Sequence, residues 1–171
     1  MIKINSANKS IESKVLFKNI NLELENKKIT GLLGANGAGK TSLFRAIAGL
    51  SKIDSGDIFF FKTNVTNINL EKRSNLGLSY VPQENSLFED LSLEDNLKSV
   101  LELKFSKLDS EKIKEMDDLI DLMNLRKRRE TLAKFLSGGE KRKTEILRAV
   151  LLEAKYILLD EPFAGVDPIS C

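Results

Sequence analysis

The 171-residue chain is 42% hydrophobic and 30% charged, and its 27 Lys and Arg against 25 Asp and Glu leave a formal net charge of +2. That size and composition suit one globular domain with a sizeable core, and the charge balance argues against a general affinity for nucleic acid. Met1-Ile2-Lys3-Ile4-Asn5 turns polar too soon for a secretory segment, no apolar run approaches bilayer length, and Cys171 is the single cysteine, so a reducing cytoplasmic setting without disulfides is expected.

The first 33 residues read as strands. Ile20, Leu22 and Leu24 alternate with Asn21, Glu23 and Glu25, the period-two pattern of a half-buried strand. Asn26-Lys27-Lys28 is a turn, and the apolar run Ile29-Thr30-Gly31-Leu32-Leu33 predicts a buried strand. It leads into Gly34-Ala35-Asn36-Gly37-Ala38-Gly39-Lys40-Thr41, which fits the phosphate-binding pattern G-x-x-x-x-G-K-[ST]. Gly34, Gly37 and Gly39 lack a Cβ, tolerate positive φ and let phosphate oxygens approach the main-chain N–H groups. Thr41–Ala48 reads as a helix stopped by Gly49, and its N-terminus adds unpaired N–H groups and the positive dipole end. Lys40 is expected to reach the β- and γ-phosphates and the Thr41 hydroxyl to ligate Mg²⁺. The loop signals nucleotide binding but does not separate a kinase, a GTPase and a transport ATPase.

Further along, Ile58-Phe59-Phe60-Phe61 predicts a strand whose aromatics fill a core, because three successive residues cannot share one strand face for base stacking. Leu76–Val81 predicts another, stopped by Pro82 and leaving Gln83 on a loop at its end. Ser92 and Asp109 or Ser110 open helices, the second carrying the apolar stripe Ile113, Met116, Leu119, Ile120 and Met123. Arg126-Lys127-Arg128-Arg129 reads as a solvated helix end. In Leu136-Ser137-Gly138-Gly139-Glu140, Ser137 and Glu140 have capping-box spacing, so a helix should start there and run to about Ala154. The two glycines would let a second anion sit against the backbone; a plain capped helix accounts for the residues equally well. Finally, the apolar strand Tyr156–Leu159 delivers Asp160 and Glu161 at its carboxyl edge, where open α/β sheets bind ligands. Adjacent strand residues face opposite ways, so Asp160 is free to hold Mg²⁺ while Glu161 orients or deprotonates a water.

Taken together these stretches resemble the ATP-binding-cassette (ABC) ATPases. Gly34–Thr41 resembles their Walker A loop, Gln83 their Q-loop, Leu136–Glu140 their signature, Tyr156–Glu161 their Walker B strand with the catalytic glutamate, and Ala164–Asp167 their D-loop. The resemblance implies an α/β fold: a P-loop NTPase core of ABC type, with a mixed or parallel sheet, N-terminal antiparallel strands and a helical subdomain. It implies one domain over 1–171, with 1–83 and 136–171 as nucleotide-binding core and 84–135 as helical subdomain, incomplete at the C-terminus. It implies ATP and Mg²⁺ as cofactors and a homodimer closed around two nucleotides. The implied binding residues are Gly34, Asn36, Gly37, Ala38, Gly39, Lys40, Thr41 and Ser42 on one subunit, with Ser137, Gly138, Gly139 and Asp167 facing the partner's ATP. The implied metal ligands are Thr41, Gln83 and Asp160, and the implied catalytic residues are Glu161, Gln83 and Lys40.

Within that family the stretches around Tyr80–Phe88, Ser137–Ile146 and Asp160–Ser170 most resemble the ATPases of lipopolysaccharide exporters. That implies integral membrane permease partners and a peripheral place on the cytoplasmic face of the inner membrane. Branched-chain amino-acid importers and soluble non-transport ABC proteins are the competing readings. Two departures stand out. Ile11 occupies the position of the family's adenine-stacking aromatic, where stacking is worth about 1–3 kcal/mol in nucleic-acid systems; Phe17 reads as a core residue instead. Histidine is absent, so the family's switch histidine is missing and slow hydrolysis is expected of the chain.

Overall fold

The computed structural model describes residues 1–105 and 108–162. The chain divides into two compact units, Met1–Leu78 and a second that begins at Ser79.

In the first unit, strands β1 (Ile2–Ile11), β2 (Lys14–Leu24), β3 (Ser55–Phe60) and β4 (Thr63–Asn64) form an antiparallel sheet in the order β2-β1-β3-β4. The register opposes Ile2 to Phe60 and Ile4 to Ile58, and all four are buried. Alternation would next bury residue 6. An irregularity after Ile4, with Ser6 in the left-handed region at φ 48°, moves the buried position to Ala7. The predicted alternation of β2 is present: Ile20, Leu22 and Leu24 are half-buried and their neighbours exposed. Phe17 is buried, as expected of a core residue. The aromatic strand ends one residue early. Phe60 fills the core and Phe59 is half-buried, but Phe61 turns out at φ 54° and is exposed.

Helix α1 (Lys40–Ala48) ends at Gly49 in the left-handed conformation. The short helix α2 (Leu70–Asn75), capped by Asn69, delivers Arg73 to the end of α1. Arg73 is buried and donates to the carbonyls of Ala46, Ile47, Val65, Thr66 and Ile68 at 2.6–3.2 Å. Five backbone acceptors replace a carboxylate partner. Burial pushes its pKa down to about 10, which leaves it charged at neutral pH. A Cβ on Gly49 would lie 2.8 Å from the Arg73 Nε, so that residue must be glycine for the clasp to form.

The expected buried strand over Ile29–Leu33 is not formed. These residues carry no strand assignment, and Ile29 and Leu33 are almost fully exposed. An apolar run becomes a strand only where neighbours supply ladder bonds, and neither sheet of the described residues pairs with it.

The second unit begins at the second residue of β5 (Leu78–Val81), which pairs with β6 (Tyr156–Leu159). Between them run α3 (Leu93–Lys104), α4 (Ser110–Leu122) and α5 (Gly138–Leu151). Ser92 and Asp109 cap α3 and α4 by accepting from the backbone N–H three residues on. One cluster joins the three helices: Leu93, Leu97 and Leu101 of α3, Met116 and Ile120 of α4, and Leu147 and Leu151 of α5 are all essentially inaccessible. Ile113, Leu119 and Met123 pack against it, so the predicted stripe is core. Helix α5 stops at Leu151 rather than near Ala154, because Glu153 enters the left-handed region at φ 50°. The basic run is a solvated 3-10 turn over Arg126–Arg128, as expected, but Arg129 departs from that reading because it is half-buried among acids of two helices. Arg129 donates twice to Glu94 on α3 and pairs with Asp117 on α4; Arg126 pairs with Asp121, and Arg128 with Glu140.

Candidate nucleotide site

In the first unit the glycine-rich stretch Gly34–Ala38 forms an exposed loop that feeds through half-buried Gly39 into α1. Gly39, the N-cap, has φ 88°, and a Cβ there would lie 2.3 Å from the Leu16 carbonyl oxygen. Gly37 also has positive φ, at 79°. Gly34 does not, and the space at its Cβ position is ordinary contact with Ala38, so its expected left-handed role is corrected. The loop closes with Ala38 N–H donating to the Ala35 carbonyl at 3.1 Å, and Leu43 N–H starts the helix on the Gly39 carbonyl. Helices α2 to α5 all have a side-chain N-cap, whereas α1 has none and no acid in its first turn. Its first N–H groups and positive dipole end therefore face the loop mouth uncompensated by side-chain oxygen, the chemistry that suits an anion. The Lys40 ammonium folds onto the loop, donating to the Gly34 and Ala35 carbonyls at 2.8 and 3.0 Å. Asn36 and Ala38 are exposed on the same loop, and Thr41 and Ser42 occupy the first turn of α1, half-buried. Ile11 is exposed at the end of β1.

In the second unit the ends of β5 and β6 bring Gln83 and the two acids together. Asp160 is buried and its Oδ2 accepts from the Tyr80 hydroxyl at 3.2 Å. Glu161 is half-buried, and its Oε2 accepts from the Gln83 amide nitrogen at 2.7 Å. The two carboxylates diverge for a reason other than strand pleat. The strand ends at Leu159, and Glu161 sits in the left-handed region at φ 47°, a conformation that costs a non-glycine residue about 1–2 kcal/mol. Gln83 uses its nitrogen on Glu161; a metal would use its amide oxygen.

The Ser137–Glu140 pattern forms the predicted capping box. The Ser137 hydroxyl accepts from Glu140 N–H at 3.3 Å, and the Glu140 carboxylate accepts from Ser137 N–H at 2.8 Å. The hydroxyl keeps its own proton to donate. Ser137 and Gly138 are exposed and Gly139 is half-buried. Asp167 and the rest of the predicted D-loop lie outside the described residues.

Residues 17–164 match the ABC transporter family. The chain belongs to that family. It is an ABC ATPase, a nucleotide-binding subunit whose chemistry is ATP hydrolysis. It is 41% identical over 162 residues to the lipopolysaccharide export system ATP-binding protein LptB of Haemophilus influenzae, covering 95% of this chain and 67% of that protein. It is 39% identical to the LptB of Acidithiobacillus ferridurans, covering 99% of this chain and 70% of that one. An uncharacterized ABC transporter ATP-binding protein of Rhizobium meliloti is equally similar, at 42% over 95% of this chain and 60% of its own length. Among solved structures, a bacterial ABC transporter cassette in dimeric form superposes with a TM-score of 0.87 at 21% identity, over 99% of this chain and 78% of that one. The fold is thus that of an ABC cassette. No helix of the described residues is long and apolar enough to cross a membrane.

Three residues of this ABC chain were given no role of their own from the sequence: Tyr80, Arg142 and Glu145. Arg142 and Glu145 are a buried ion pair at 3.1 Å. Their i, i+3 spacing beside the apolar Leu147 was the available signal, but the same spacing is common on solvated helix faces.

Each oxygen named from sequence for Mg²⁺, the Thr41 hydroxyl in the first unit and the Gln83 amide and Asp160 carboxylate in the second, is of the type a hard cation takes. Among the described residues no three His, Cys, Asp or Glu side chains group to hold a metal.

Proposed function

We propose that this chain is the ATPase subunit that drives lipopolysaccharide extraction and export, working as a homodimer with integral membrane permease subunits on the cytoplasmic face of the inner membrane. The observation that carries the reading is its 38–41% identity, over 95% or more of its length, to several LptB proteins. In the first unit, Gly34–Ser42 would hold the phosphates by loop and helix N–H groups, with Lys40 stabilising charge on the transferring phosphoryl group. In the second unit, Glu161 would polarise the attacking water and Asp160 and Gln83, with Thr41, would serve Mg²⁺. When bound, that ion supplies neutralisation of phosphate charge. Ser137, Gly138 and Gly139 would meet the γ-phosphate held by a second copy, with Asp167 at the seam. Residues 84–135 would serve as the helical subdomain that docks on the permeases. Ile11 would contact adenine only by its aliphatic face.

The test is recovery of the tagged protein from its native membrane with its co-purifying subunits identified. Lipopolysaccharide-exporter permeases support the reading. Amino-acid importer subunits would keep the ATPase chemistry and overturn the cargo, and no membrane protein at all would favour a soluble ABC ATPase.

A further inference from the structure

The second unit contains a closed ring of interactions that the motif residues alone do not explain. Strands β5 and β6 end at Val81 and Leu159, and the next residue of each offers its carbonyl to one guanidinium: Arg142 Nη1 donates to Pro82 O at 2.6 Å and Nη2 to Asp160 O at 2.6 Å. The residues that follow, Gln83 and Glu161, bond to each other through their side chains at 2.7 Å. Asp160 N–H donates to Val81 O at 3.1 Å, which ties the two strand ends directly. Arg142 is itself held by Glu145 at 3.1 Å, and the other carboxylate oxygen of Glu145 accepts from Ser86 N–H at 2.6 Å and from its hydroxyl at 2.9 Å. Both ends of the 82–86 loop are therefore pinned to α5, and Arg142 and Glu145 are buried where they do it. The N-terminus of that same helix carries Ser137, Gly138 and Gly139.

We propose that Arg142 is a positioning residue that fixes the separation of Gln83 and Glu161 and joins it rigidly to the helix bearing Ser137–Gly139. The inference rests on the reading of Glu161 as the residue that polarises water. A planar fork with two nitrogens on two carbonyls fixes their separation; a lysine ammonium, a point charge on a flexible stem, reaches carbonyls without holding them at a set distance. Movement of the Ser137 end of α5 on meeting a nucleotide is thereby passed to the Gln83–Glu161 pair of the same subunit. In a dimer this links engagement of the partner's ATP to readiness of the subunit's own water-polarising residue.

The experiment compares wild type with Arg142→Lys and Arg142→Gln on the full chain, measuring fluorescent-nucleotide binding, turnover and amide exchange of the 79–87 and 156–162 segments. Arg142→Lys keeps the charge and the Glu145 pair but loses the rigid two-nitrogen bridge. The expected result is nucleotide affinity within twofold of wild type, turnover at least tenfold lower, and exchange accelerated together in both segments while α3 keeps its rate. Arg142→Gln should be at least as impaired. Wild-type turnover in Arg142→Lys, or exchange that changes in one segment without the other, would overturn the proposal. Should wild type bind nucleotide but show no turnover at all, the water-polarising role of Glu161 would fall on its own, and coupled exchange would still decide what Arg142 holds.

Discussion

Gly39 shows how a single atom can decide the nucleotide loop. Its φ of 88° and the Leu16 carbonyl 2.3 Å from any added Cβ leave no room for a side chain. Gly39→Ala is expected to lower stability by at least about 1 kcal/mol, the left-handed penalty alone, and to abolish nucleotide binding in the fraction that folds. A denaturation midpoint and a nucleotide titration on the same sample check both. The sequence pattern identified this position correctly, because the pattern itself encodes a backbone requirement. It over-extended the same argument to Gly34, whose φ is not positive, because a pattern says which residues recur and not which of them is strained.

At the scale of elements, helix starts were legible because their signals are local. Ser92, Asp109 and Ser137 each bond a backbone N–H three residues away, a distance any reader of the chain can see. Within the basic run only Arg129 was misread, because its partner is not local: it meets Glu94 from 35 residues away. That pair gives the helical cluster an acid dependence. The hydrogen bonds from Arg129, with Lys98 also contributing, hold the Glu94 carboxyl down at about 2, below its ordinary 4.5. A depressed folded-state pKa contributes stability that is present above the unfolded value and is lost as pH falls through the folded one. The contribution should therefore be complete above about pH 4.5 and decline toward pH 2. Glu94→Gln should be less stable than wild type at pH 6, and the gap in urea midpoint should shrink by pH 3; a gap independent of pH would contradict the assignment.

At the scale of the whole molecule, the α/β class and the ordered succession of phosphate loop, Gln83, capped glycine pair and acidic strand end could all be read from the chain, because each carries its chemistry within a few consecutive residues. What could not be read is pairing across the fold. Ile29–Leu33 has the composition of a buried strand, yet strand character depends on neighbours, and none of the described strands adjoins it. The Arg142 ring joins residues 18 and 60 positions apart, and no local pattern announces it.

The central claim is that this ABC chain binds ATP through the Lys40 loop and uses Glu161 after binding, not for it. Titration of a fluorescent ATP analogue with Mg²⁺ into wild type, Lys40→Ala and Glu161→Gln separates the two roles in one measurement. The account predicts tight and similar binding to wild type and Glu161→Gln, and affinity at least tenfold weaker in Lys40→Ala. Equal binding by all three proteins would contradict it.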